Sequence, residues 1–225
     1  YTNMGIVGRG RRRKPKARAL TKKQTQEVNK LAKRTIDRNS EVKYANGNYN
    51  ATTISNSGSI QLCVPSITQG DGNVGTRDGD SIRLHNLEVR GHLKVADSTN
   101  TFRIILFQMK GDPRAAGSSE VDDIVDDSST LLGTVQAPYA PLNVNNKKQF
   151  HVISDRMYMG VSGQENDIIP IHYNFPASKL LKKQKFAAGS ATSVYGAPQF
   201  CIISDSSAAT HPSLQLVFRL NYYDN

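Results

Sequence analysis

Arg9, Arg11, Arg12, Arg13, Lys14, Lys16 and Arg18 place seven cations within ten residues. The chemistry of such a density is polyanion binding, because each phosphate that a lysine or arginine neutralises releases a condensed counterion. Lys22, Lys23, Lys30, Lys33, Arg34 and Arg38 extend the run, and only Glu27 and Asp37 oppose these thirteen groups. The first 38 residues therefore hold a surplus of eleven positive charges in a chain whose net charge is +10. Everything after Arg38 is close to neutral. A neutral body carrying a polycationic segment takes a polyanion, DNA or RNA, as its expected partner. Charge leaves the choice between them open, since phosphates are common to both. The run Arg11-Arg12-Arg13-Lys14-Pro15-Lys16 equally suits the acidic groove of a nuclear import receptor, and the bland alternative is a solvated tail.

Other chemistries are poorly served. Gly160-Val161-Ser162-Gly163 lacks the glycine two residues after the serine that a nucleophile elbow needs. Gly70-Asp71-Gly72-Asn73-Val74-Gly75 has dinucleotide spacing but leads into an Arg-Asp-Gly-Asp turn and a strand, not the helix that would hold a pyrophosphate. His85, His92, His151, His172 and His211 form no ligand pattern, and the acidic group from Glu120 to Asp127 lacks the glycine and spacing of an EF-hand loop. No enzymatic activity and no cofactor are expected. Cys63 and Cys201 read as buried strand thiols. No apolar run approaches the roughly 20 residues that cross a bilayer, so a membrane partner is not expected.

The elements that must position the cations divide at about residue 38. Residues 1–20 combine glycine, proline and like charge and read as an arm without compact structure. Thr21 and Gln24 then fit a capping box, and Val28, Leu31, Ala32, Thr35 and Ile36 recur at helical spacing, which predicts a helix over about 21–37. Its apolar stripe is thin. On it, Lys30, Lys33 and Arg34 share a face at i, i+3 and i+4, suited to successive phosphates.

From Glu41 onward the pattern becomes β. Runs at Val42–Tyr44, Ser59–Val64, Ser81–Val95, Thr101–Lys110, Gln149–Val161, Ile168–Phe175, Gln199–Ser204 and Leu214–Tyr223 are separated by Gly, Asn, Asp, Ser and Pro clusters. Leu87-Glu88-Val89-Arg90 alternates like a half-buried strand, whereas Ile104-Ile105-Leu106-Phe107 reads as covered on both sides. Long loops are expected at 111–148, with a short acidic helix within Ser119–Leu132, and at 176–198, where Lys179, Lys182, Lys183 and Lys185 read as a solvated loop or short helix, with a second nucleic-acid site as the alternative. Some eight antiparallel strands with irregular connections predict a β-sandwich, an eight-stranded antiparallel jelly roll, in residues 39–225.

Gln69-Gly70-Asp71, then Arg77-Asp78-Gly79-Asp80-Ser81-Ile82-Arg83, Leu87-Glu88-Val89-Arg90-Gly91 and Thr101-Phe102-Arg103-Ile104 resemble the small single-jelly-roll coat proteins of satellite tobacco necrosis virus and of circular single-stranded DNA viruses. Physically, the glycines of this motif permit positive φ, and Asp78 and Asp80 can bond local amides. The resemblance implies a self-assembling shell, T=1 with 60 copies, whose basic arms face a packaged genome. It implies a virion location, with assembly in host nucleus or cytoplasm. By position it also places interface calcium on Glu41, Asp78, Ser81 and Asp224. The alternative is a cellular RNA- or DNA-binding β-domain without sequence specificity.

Overall fold

Thr21 and Gln24 cap the helix reciprocally. The Gln24 amide donates to Thr21 Oγ1 at 3.3 Å, and Gln24 Oε1 accepts from the Thr21 amide at 3.0 Å. Helix α1 then runs Lys22–Asn39. In this computed structural model the described residues are 20–39, 41–51, 53–70, 75–96, 98–111, 121–126, 137–163, 167–206 and 211–224. The acidic helix expected within Ser119–Leu132 contracts, over its described part, to a single 3₁₀ turn at Val121–Asp123. The glycine-rich run Gly70–Gly75 lies mostly outside the described residues.

Two units are distinct, residues 1–40 and 41–225. The second consists of strands β1 Val42–Ala51, β2 Ser59–Leu62, β3 Thr68–Gln69, β4 Thr76–Arg77, β5 Ser81–Lys94, β6 Thr99–Met109, β7 Phe150–Val161, β8 Ile168–Pro176, β9 Lys183–Phe186, β10 Ser193–Tyr195, β11 Pro198–Ser204 and β12 Ser213–Asp224. One large sheet has the order β1-β12-β5-β9-β10, with β8 also paired to β5, the second is β2-β11-β6-β7, and β3 and β4 form a separate parallel pair. The major pairings are antiparallel, and the successive pairs β1/β2, β5/β6, β7/β8 and β11/β12 each divide between the sheets. That exchange is the jelly roll.

Alternation explains the layers. Ala45, Val89, Leu216 and Phe218 point from the first sheet into the sandwich, where they meet Phe102, Ile104, Leu106 and Phe200 of the second. Phe200 stacks on Phe218 with centroids 5.1 Å apart, and Tyr49 meets Phe200 edge-on. The second sheet is buried on its other face as well. Ile105, Phe107 and Met109 of β6 pack there under Val121, Ile124, Val125 and Ala140, as the apolar run of β6 predicts. Arg103 fastens that cover, pairing with Asp155 at 2.7 Å and donating to the carbonyls of Pro138 and Ala140.

Two segments depart from the sequence reading. β1 continues through Ala45-Asn46-Gly47-Asn48, a string of turn formers, because ten consecutive residues pair with β12 and Gly47 lies against the Cys63 carbonyl. A Cβ there would stand 1.9 Å from that oxygen. The expected loop at 176–198 instead contains β9 and β10, and Lys183 and Lys185 belong to a strand whose alternate residues Gln184 and Phe186 are buried. Both cysteines are buried and free, as expected. Burial pushes the Cys63 thiol well up and that of Cys201 up to about 12.

Candidate nucleic-acid interface

The helix positions the part of the cationic run that falls within the described residues. Lys22, Lys23 and Lys30 are exposed, and the backbone carries positions 33, 34 and 38 onward along the same helix. Arg9, Arg11, Arg12, Arg13, Lys14, Lys16 and Arg18 lie outside the described residues. The first turn of α1 has no acidic residue and two lysines, so the positive end of the helix dipole and the side chains add rather than cancel. An anion there relieves both. Val28 and Leu31 are about half exposed, which leaves the thin apolar stripe of α1 open.

The residues implied for calcium come together only in part. Asp78 and Asp224 converge, but they do so on the ammonium of Lys43. Lys43 Nζ lies 2.8 Å from Asp224 Oδ2 and 3.7 Å from Asp78 Oδ1, with the lysine side chain only 6% exposed. Asp224 Oδ2 also accepts the Asp78 amide at 2.8 Å, while its Oδ1 is buried with no hydrogen-bond partner. The hydrogen bond to Asp224 holds the lysine pKa above its ordinary value against the opposing cost of burial.

Calcium asks for six to eight oxygens, and among the described residues no three His, Cys, Asp or Glu stand together as a metal-binding group. Glu41 is exposed beside this cluster, and Ser81 opens β5 opposite Lys185 in the ladder. The donor set is that of an ion pair with a built-in cation. Among the described residues of one chain, Glu41, Asp78, Ser81 and Asp224 do not gather as a metal-binding group.

The Arg77–Ser81 motif acts as a tie. Arg77 is fully buried, lies over the Phe186 ring at 4.2 Å, and donates to the carbonyls of Gly79 and Ser190. Asp80 sits 3.4 Å from its guanidinium. Asp78 and Asp80 thus engage cations, where the sequence reading gave them local amides. Tyr222 donates to the Thr76 carbonyl at 2.9 Å, and burial raises its hydroxyl pKa to about 12. Lys43 and Tyr222 escaped the sequence reading. The available signal was a lysine at an inward position of an alternating strand.

A search of curated proteins finds no match. Among solved structures, a chain of desmodium yellow mottle tymovirus aligns at 12% identity with a TM-score of 0.40, over 82% of this chain and 88% of that one. Empty-head turnip yellow mosaic virus aligns at 10% identity and a TM-score of 0.39, over 82% of each chain. The family of the satellite tobacco necrosis virus coat protein matches residues 12–225. That match takes in the helix, both sheets and the Arg77–Ser81 tie, and the chain belongs to the satellite tobacco necrosis virus coat protein family.

Proposed function

We propose that this viral coat protein, a structural subunit of the virion, assembles as a T=1 shell of 60 copies and packages single-stranded nucleic acid through residues 1–38. The observation that carries the reading is the charge division: eleven surplus positive charges lie before residue 39 in a chain of net +10. Sixty such arms carry about 660 positive charges, enough to neutralise on the order of several hundred to a thousand phosphates. The cations of α1 support the same role, with Lys30, Lys33 and Arg34 spaced for successive phosphates. The Arg11–Lys16 run also serves an import receptor on this reading. Family membership displaces the cellular binding-domain alternative.

Electron microscopy of the purified protein with a single-stranded nucleic acid tests assembly, with uniform shells about 20 nm across expected. Monodisperse monomer under all salt and pH conditions would sink the proposal. Deletion of residues 1–38 is expected to remove most oligonucleotide affinity while leaving the shell domain folded. Undiminished affinity across a salt series excludes the arm as the packaging element.

A further inference from the structure

One sheet face of the shell domain is open and the other is covered. Ile105 and Phe107 of the second sheet lie beneath the 121–126 and 137–142 segments, whereas the outward positions of β1, β12, β5, β8 and β9 alternate with core residues and are exposed or half-exposed. Charge is also unevenly divided. Arg83, Arg90, Lys94, Lys183, Lys185 and Arg219 stand on the open face, and Glu88 is the sole acid among the described outward residues of its strands. Asp122, Asp123, Asp126 and Asp155 sit on the second sheet or on the segments beside it, where Arg103, Lys110, Lys147, Lys148 and Arg156 offset them. Among the described residues the open face is therefore cationic, while the second-sheet side is close to balanced.

The open face also holds aromatic rings beside its cations. Arg219 lies 4.8 Å over Tyr44, Arg83 lies 4.5 Å over Tyr223, and Lys185 lies 5.7 Å from Tyr195. Arg83 and Lys183 stand directly opposite in the ladder. Between the cations runs a row of amides: Asn221 donates to Asn86 at 2.8 Å, and Asn86 to Asn174 at 2.9 Å. Cations for phosphates and rings for bases are the components of a single-strand platform.

We infer that the open face of the first sheet is a second binding surface for single-stranded nucleic acid, separate from residues 1–38. The inference rests on the packaging role proposed above and adds a surface that orders the strand against the shell domain. Its contribution is salt-sensitive and nearly independent of sequence, because nothing on the face reads a base edge in a fixed frame.

The test uses full-length protein and a short fluorescent oligothymidylate. Arg83→Gln/Lys183→Gln/Lys185→Gln is compared with a control of equal charge change away from the face, Lys110→Gln/Lys147→Gln/Lys148→Gln. The face variant is expected to lower the salt slope of binding by about 2, at roughly 0.7 per phosphate contact, with little change in the control. Ultraviolet crosslinking should recover peptides containing Tyr44, Tyr195 or Tyr223. Should the triple variant fail to fold, the exposed pair Lys183→Gln/Lys185→Gln replaces it. Equal slopes with crosslinks confined to residues 1–38 overturn the inference and leave the arm's role standing. Loss of self-association with an unchanged slope also overturns it, marking the face as a contact between copies. Absence of any oligonucleotide binding by the full chain removes both readings.

Discussion

Lys43 and Asp224, 181 positions apart, meet at 2.8 Å where β1 begins and β12 ends. Both side chains are nearly enclosed, at 6% and 9% exposure. The two ends of the shell domain are thus pinned by one ion pair, with the Asp78 amide on the same carboxylate oxygen drawing the Arg77–Ser81 tie into the corner.

Breaking that pair from one side strands a charge in a poorly solvated place. Asp224→Asn is expected to lower stability by about 2 to 3 kcal/mol in urea denaturation, and the paired change Lys43→Met/Asp224→Asn should recover part of the loss. A single-variant change within about 0.5 kcal/mol, the range of ordinary surface substitutions, would contradict the assignment. Melting midpoints of the wild type in EDTA and in added calcium are expected to coincide, because the cation between the carboxylates is an ammonium.

The groups with resolved upward shifts all favour the protonated state in the fold. Such a group contributes fully below its unfolded pKa and ceases to contribute as pH rises through the folded value. The loss should begin near pH 8.5 with Cys63 and Cys201, and continue above about pH 10 as Tyr222 and Lys43 enter. Stability is therefore expected to fall on the alkaline side. Lys43→Met should flatten the fall above about pH 10, and Cys201→Ala should reduce its onset. Urea midpoints measured between neutral and strongly alkaline pH check the order; a fall that starts at the same pH in all variants would refute it.

Gly47 permits the close approach of β1 to the Cys63 carbonyl. Since a Cβ would lie 1.9 Å from that oxygen, Gly47→Ala requires the backbone to move. A loss of about 3 kcal/mol or more is expected, at the upper end of overpacking costs. Amide exchange should be fastest along the β1 and β12 ladder. Unchanged protection in β1 would show that the strand yields without cost.

Arg103 holds the cover of the second sheet through Asp155 and two carbonyls. Arg103→Met is expected to cost about 3 kcal/mol, because Asp155 and the carbonyls lose a charged donor together. Hydrogen exchange should rise first in residues 137–142. If exchange there stays at the wild-type level, apolar packing alone retains the cover.

Much of this protein is readable from local pattern. The capping box of Thr21 and Gln24 is a local hydrogen-bond pattern, and the alternation of Leu87 to Arg90 and the doubly apolar run of β6 report periodicities set by backbone geometry, which packing of the sandwich reinforces. The division of charge at residue 38 is likewise a property of composition. Local pattern fails where long-range pairing supplies the energy. Asn46, Gly47 and Asn48 look like a turn and form a strand because β12 satisfies their backbone groups. Lys183 and Lys185 look like a solvated loop and become the edge of a cationic face because β5 offers them a partner. Lys43 reads as one more surface cation until the fold brings Asp224 across 181 positions to meet it. Sequence alone determined which segments could be helix, strand or arm, since those preferences act over a few residues. Which side chains share a site was decided by tertiary structure, because only the closed sandwich brings distant strand ends within the few ångströms over which charges and hydrogen bonds act.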